Sequence, residues 1–172
     1  MTEALHAELD RIFAARNRDD MAPTIAAFET IYRKRPDDPR VQYELGGAYD
    51  TAGKEARAAE LYERALEAGL TGDLRRRCLL QHGSTLRNLA RFDESVEVLD
   101  RARAEYPDAL SIAVFAALTR HAAGHTHTAF ADLLEIVADH TDAADLDRYR
   151  PALRANAHYL RGLEGPQLDV SA

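Results

Sequence analysis

The chain has 172 residues, the size of one domain and enough to bury a core without disulfides or a structural metal. Its one cysteine, Cys78, excludes an internal disulfide framework and points to a reducing compartment, the cytoplasm. The 22 basic and 29 acidic residues give a net charge of −7, a balance that argues against nucleic acid or an anionic membrane as partner.

Alanine occurs 32 times, whereas valine and isoleucine together occur 11 times. That ratio favours helix over sheet, because alanine loses no side-chain entropy in a helix while β-branched residues do. Apolar spacing and cap signals predict helices over 3–17, 22–35, 39–52, 55–68, 73–89, 92–105, 109–123, 126–139 and 143–162, an all-α chain. The first ten residues mix acidic and apolar types and lack the basic start and apolar run of a secretory signal. Asp38 followed by Pro39 reads as an N-cap with proline in the first turn, Asp108 and Thr141 as further N-caps, and Gly53 and Gly124 as C-terminal stops. The most apolar stretch, Ser111 to Leu118, meets Arg120 and His121 too soon to span a membrane. In the last helix Leu146, Tyr149, Leu153, Ala157 and Leu160 form an apolar stripe, with Arg148, Arg154, His158 and Arg161 opposite. Pro151 predicts either a kink near Asp147 or a break before it. From 164 to 172 the chain is expected to be a flexible tail.

Repetition is the strongest signal. Gly46 and Gly83, Tyr62 and Leu99, and Ala65 and Ala102 each lie 37 residues apart, while Ala90 and Gly124 lie 34 apart and Pro36 and Pro107 lie 71 apart. A 34-residue period with one three-residue insertion near Gly69 to Leu74 accounts for all five spacings. Small residues at Gly46, Ala58, Ala65 and Gly83 are expected where paired helices approach closely, with Tyr62, Phe92 and Leu99 filling the space around them.

A 34-residue helix-turn-helix unit is similar to the tetratricopeptide repeat. Residues 39–72 carry its pattern as Leu45, Gly46, Tyr49, Gly53, Ala58, Tyr62 and Ala65, and residues 76–109 as Leu79, Gly83, Leu86, Phe92, Ser95, Leu99, Ala102 and Pro107. Residues 110–143 and 5–38 keep less of it, as terminal repeats do. The resemblance implies an α-solenoid of about four helix pairs plus a C-terminal capping helix, forming a single domain over 1–163.

Catalytic and metal motifs are scarce. No G-x-S-x-G, G-x-G-x-x-G, P-loop or H-E-x-x-H pattern occurs, so neither an activated serine, nor a phosphate cradle, nor a zinc helix is expected. Cys78 follows three arginines, a setting that can lower a thiol pKa, although a cysteine on a repeat helix is more often packing. His121, His125 and His127 straddle a turn and read as solvated histidines rather than a metal site. His82 occupies a position where the pattern wants leucine and is expected to be partly exposed. No cofactor and no catalytic activity are expected.

The resemblance therefore implies a non-enzymatic protein-interaction module whose concave groove is lined by the first helix of each pair. Carried onto this sequence, the groove positions include Leu9, Phe13 and Arg16; Arg40, Tyr43 and Asp50; Arg77, Leu80 and Arg87; and Val114, Leu118 and His121. Four arginines against one aspartate, interleaved with apolar side chains, suit a protein segment that is acidic and apolar. The lysines and asparagines of the co-chaperone carboxylate clamp are missing from these places. Closure of the groove on a second copy, giving a homodimer, and a metal- or thiol-dependent sensor or enzyme are the alternatives.

Overall fold

A computed structural model of the chain describes residues 2–164. Among them ten helices follow one another: α1 (Thr2–Ala14), α2 (Ala22–Tyr32), α3 (Pro39–Thr51), α4 (Glu55–Glu67), α5 (Gly72–Asn88), α6 (Phe92–Glu105), α7 (Leu110–Ala122), α8 (Thr126–His140), α9 (Ala144–Asp147) and α10 (Arg150–Leu163). No strand occurs among the described residues, and the fold is all-α; a lone backbone bridge joins Asn17 and Asp20 in the α1–α2 turn. The expected flexible tail lies, from residue 165 onward, outside the described residues. No helix among the described residues is long and apolar enough to cross a membrane.

Local chemistry explains most helix ends. The Asp38 carboxylate accepts from the Arg40 and Val41 amides at 3.0 and 3.1 Å, starting α3 with Pro39 in its first turn. Gly53 ends it at φ +70°, so that the Lys54 amide donates to the Tyr49 carbonyl at 2.9 Å. Gly124 closes α7 in the same way at φ +94°. Between these two glycines in the repeat stands Ala90, held in the same left-handed region at φ 58° while the Arg91 amide reaches the Leu86 carbonyl at 2.9 Å.

Other ends depart from the sequence reading. α1 stops at Ala14 because Asn17 folds the chain into a side-chain turn, its Oδ1 accepting from the Asp19 amide at 3.1 Å. Asp108 does not cap α7; the helix begins later, after Ala109, and the Asp108 carbonyl takes the Leu110 amide instead. Thr141 terminates α8 rather than starting the next helix, its amide donating to the Val137 carbonyl. The single last helix is two: the chain breaks at Arg148 and Tyr149, and Pro151 sits in the first turn of α10, where its missing N–H removes no helical bond.

The helices group into two compact units, Met1–Val98 and Leu99–Ala172. In the first, Leu5, Leu9, Phe28, Val41, Leu45 and Leu61 form one apolar cluster, and Tyr43, Ala58, Tyr62, Ala65, Leu70 and Cys78 form another. Gly46 lets α3 lie against α4: a Cβ there would come within 3.0 Å of the Tyr62 ring and 3.3 Å of the Leu61 Cβ. Tyr62 is fully buried, and burial of a side chain that size contributes roughly 1.5–3 kcal/mol.

The second unit is built differently. Its buried residues on α7, α8 and α10 are mostly small, Ala116, Ala117, Ala129, Ala131, Ala138 and Ala157, and a buried aspartate ties the helices together. Asp132 on α8 accepts from Arg120 on α7 and, at 2.8 Å, from Arg161 on α10, with Arg103 on α6 at 3.8 Å. Arg161 also reaches Glu135 at 2.6 Å, Arg154 reaches Asp139 at 2.6 Å, and Arg150 donates to the Thr141 carbonyl at 2.8 Å. Arg154 and Arg161, expected on the solvated face of the last helix, pair with carboxylates of α8, Arg154 while staying exposed, and Tyr149 of the expected apolar stripe is 55% exposed. The break before Arg150 takes Tyr149 out of the stripe, whereas within α10 Leu153, Ala157 and Leu160 turn inward as expected and the arginines reach α8 beside them.

Two outcomes follow for stability. Ala90→Gly should raise it by up to about 1 kcal/mol in chemical denaturation, because glycine relieves the left-handed cost while adding unfolded-chain entropy. Asp132→Ala should lower it by about 3 kcal/mol, since the arginines around it lose their shared counter-charge in a partly buried setting.

Candidate functional site

Residues from α1, α2, α3 and α5 enclose a cleft of about 130 Å³ in the first unit. Phe13, Arg16 and Arg18 come from the end of α1 and the turn after it, and Met21, Thr24 and Phe28 from the start and body of α2. Tyr43, Glu44, Gly47, Ala48 and Thr51 come from α3, and Gln81 from α5. Of the groove residues expected from the sequence, Phe13, Arg16 and Tyr43 are brought together here.

Phe13 is 46% exposed, and the Arg16 guanidinium lies 3.7 Å from its ring centroid while donating to the Phe13 carbonyl at 2.7 Å. This arrangement holds a cation and an aromatic face in a fixed mutual geometry at the cleft mouth. Tyr43 is mostly buried; burial, and then the neighbouring Glu44 charge, push its hydroxyl pKa up, so it stays a neutral hydrogen-bonding group.

The other expected contacts lie elsewhere. Leu9, expected to line a groove, is fully buried in the first apolar cluster, because α1 turns that face onto α2 and α3. Arg40 is bound within the protein: its side chain pairs with Asp10 on α1 and stands 3.7 Å from Glu44 one turn along α3. Arg77 pairs with Asp73 at 2.7 Å, and Arg87 donates to the Ser84 hydroxyl at 3.1 Å. Leu80 is half-buried on α5 and does not line the cleft. Asp50 accepts from the Thr85 hydroxyl at 3.1 Å and the Tyr62 hydroxyl at 3.4 Å, a link between α3, α4 and α5. Val114, Leu118 and His121 lie on α7; Val114 is half-buried, and Leu118 is 42% exposed.

The chemistry-bearing alternatives also have positions. Cys78 is buried and its thiol pKa is pushed up to about 12 by burial, the opposite of what a reactive thiol needs. His82, expected to be partly exposed, is buried beside the Tyr62 ring, since its repeat position faces the core. His121 and His125 take separate partners, Thr126 and Glu164 respectively, each at 3.5 Å. Among the described residues no cluster of three or more histidine, cysteine or carboxylate side chains is placed to hold a metal ion.

Sequence reasoning missed Glu44, Arg18 and Gln81. Glu44 is 8% exposed, and burial raises its pKa from 4.5 to about 7, against the lowering effect of Arg40. The Arg40–Glu44 spacing of one helical turn signalled an ion pair, but nothing in the pattern signalled that the pair would be buried. Arg18 stands in the polar Asn17-Arg18-Asp19-Asp20 run, where the helix expected to Asn17 hid both the turn and its placement at a cleft.

The Glu44 pKa sets a pH dependence. The folded carboxyl keeps its proton to higher pH than the unfolded one, so stability is lost as pH rises from about 4.5 through about 7. Glu44→Gln removes that loss. Urea unfolding should show the variant gaining on the wild type by on the order of 2 kcal/mol between about pH 5 and about pH 8.

Comparison with known proteins agrees with the repeat spacing and the paired helices. The family model described as tetratrico peptide repeat matches residues 39–160, which takes in α3 to α9 and most of α10. No curated protein matches the chain. The model spans well over half of the sequence, and the chain belongs to the tetratricopeptide repeat family.

Proposed function

We propose that this protein is a non-enzymatic interaction module, acting in the cytoplasm, that receives an acidic and apolar protein segment at the cleft of its first unit. Tetratricopeptide repeat domains bind other proteins, which supports the general reading. The observation that carries the specific one is the cleft mouth, where the exposed Phe13 ring, the Arg16 guanidinium stacked on it and the exposed Arg18 meet. An aromatic face beside two cations suits a segment that alternates apolar and carboxylate side chains.

The charged contacts in this proposal are Arg16 and Arg18. Arg40, Arg77 and Arg87 already have partners within the chain, so a ligand would have to displace those partners to use them. The apolar contacts are Phe13 and Tyr43. Self-association is the second reading, supported by Leu118, an apolar side chain left 42% exposed on α7.

Charge reversal tests the proposal. Fluorescence anisotropy with a labelled peptide of alternating aspartate and leucine should give micromolar binding, about −8 kcal/mol. The double variant Arg16→Glu with Arg18→Glu should weaken it at least about tenfold, and added salt should weaken the wild type in parallel. Both side chains leave the apolar core untouched, so helical circular dichroism should not change. A folded double variant that binds the peptide as the wild type does would remove the cleft from consideration.

A further inference from the structure

The inner surface of the cleft differs in chemistry from its mouth. Glu44 contributes a carboxylate that is 8% exposed, and the only cation near it on its own helix, Arg40, is at 3.7 Å, beyond hydrogen-bond distance. The Arg40 Nε that faces it has no hydrogen-bond partner. On the α5 side, the Gln81 Oε1 is buried and accepts no hydrogen bond. A buried carboxylate with a long ion pair to Arg40 and a glutamine whose buried oxygen accepts no hydrogen bond thus line one small cavity, although buried polar atoms are nearly always satisfied.

Phe13 at the mouth and the buried Met21 and Phe28 add apolar walls to the same cleft. The lining thus combines cations, apolar walls, a buried anion and an amide oxygen. We infer that the cleft takes the side chain of a lysine flanked by acidic residues in a partner protein segment, its ammonium meeting Glu44 and Gln81 and the flanking carboxylates meeting Arg16 and Arg18. This rests on the interaction reading above and adds to it the residue at the centre of the recognised segment.

The fit follows from the shape of lysine. Its ammonium has three donors and no acceptor, which matches a surface that presents acceptors, and its four-carbon stem can lie along apolar walls. A leucine would fill the space and leave the Gln81 oxygen without a donor and Glu44 with no cation but Arg40. A glutamate would bring a second carboxylate against Glu44. The charged groups around Glu44 are Arg40 on α3, Asp10 and Arg16 from α1 and its end, and Arg18 at the mouth. Arg40 divides its charge between Asp10 and Glu44, which is why burial still dominates and the Glu44 pKa is raised to about 7. An ammonium would favour the ionised form, so a lysine ligand should release a proton on binding near neutral pH and bind better as pH rises.

Four capped, fluorescein-labelled peptides test this, identical except for a central lysine, glutamine, leucine or glutamate, with aspartates on either side and a leucine beyond. At about pH 8 the lysine peptide should bind roughly tenfold tighter than the leucine peptide, with the glutamate peptide weakest. The lysine preference should shrink toward about pH 6, as Glu44 takes up its proton. In Glu44→Gln, checked for folding by circular dichroism, lysine and leucine peptides should come within about twofold of each other. Gln81→Met, which leaves the carboxylate in place, should reduce the preference partly and keep its pH dependence.

Equal binding of the lysine and leucine peptides by the wild type would overturn the inference, as would a lysine preference that survives Glu44→Gln. If all four peptides bind alike and Arg16→Glu with Arg18→Glu still weakens every one, the lysine assignment fails while the interaction reading stands. If none binds, both fail at this cleft.

Discussion

The first unit is organised around the contact between Gly46 and the Tyr62 ring. With no side chain at Gly46, α3 lies directly on that ring, and the buried tyrosine can address several elements at once. Its face meets α3, its ring stands 6.1 Å from Tyr43 and 6.4 Å from His82, its hydroxyl reaches Asp50, and its carbonyl lies 3.6 Å from the Cys78 sulfur. Asp50 in turn holds Thr85 on α5. The position of α3 fixes where Tyr43 and Glu44 stand, so the cleft depends on a packing contact made by the same helix. A bulkier residue at position 46 would displace the cleft wall along with the core.

Arginine does two distinct jobs in this chain. In the second unit it substitutes for apolar bulk: small alanines let α7, α8 and α10 approach, and Arg120, Arg150, Arg154 and Arg161 connect them through carboxylates and carbonyls. In the first unit Arg40 joins α1 to α3 through Asp10. A count of groove cations taken from the sequence alone overstates the charge open to a ligand, because an arginine with a carboxylate of its own chain within reach is already committed. The net charge of −7 supplies many such carboxylates.

The helix pairs were legible because the 34-residue offset repeats both the small residues that permit contact and the glycines that end helices, and α3 to α8 fall within a residue or so of their expected limits. The site was legible only in part. A repeat pattern states which face of a helix a position occupies, and Phe13, Arg16 and Tyr43 followed from it. How deep that face lies depends on the angle at which the neighbouring helix crosses, and one helix turn separates buried Leu9 from exposed Phe13. Glu44 was hidden for the same reason: a glutamate one turn from an arginine looks like an ordinary surface pair until the neighbouring helices close over it. At the other end, Pro151 predicts a kink or a break and the chain breaks, which leaves Tyr149 exposed outside α10; the arginine pairs with α8 depend on carboxylates of another helix, which a stripe pattern does not describe.

The attachment of α10 carries a thermodynamic consequence. A terminal helix docked by apolar area gains its adhesion largely from water release, so its detachment has a large heat-capacity change and its grip weakens on cooling. α10 fully buries little besides Ala157 and is fastened by Arg150, Arg154 and Arg161. Beside Ala157 and the half-buried Leu153 and Leu160, its release would break mainly ionic contacts, so the heat-capacity increment is modest for a helix of this length and its hold responds to the ionic composition of its surroundings as well as to temperature.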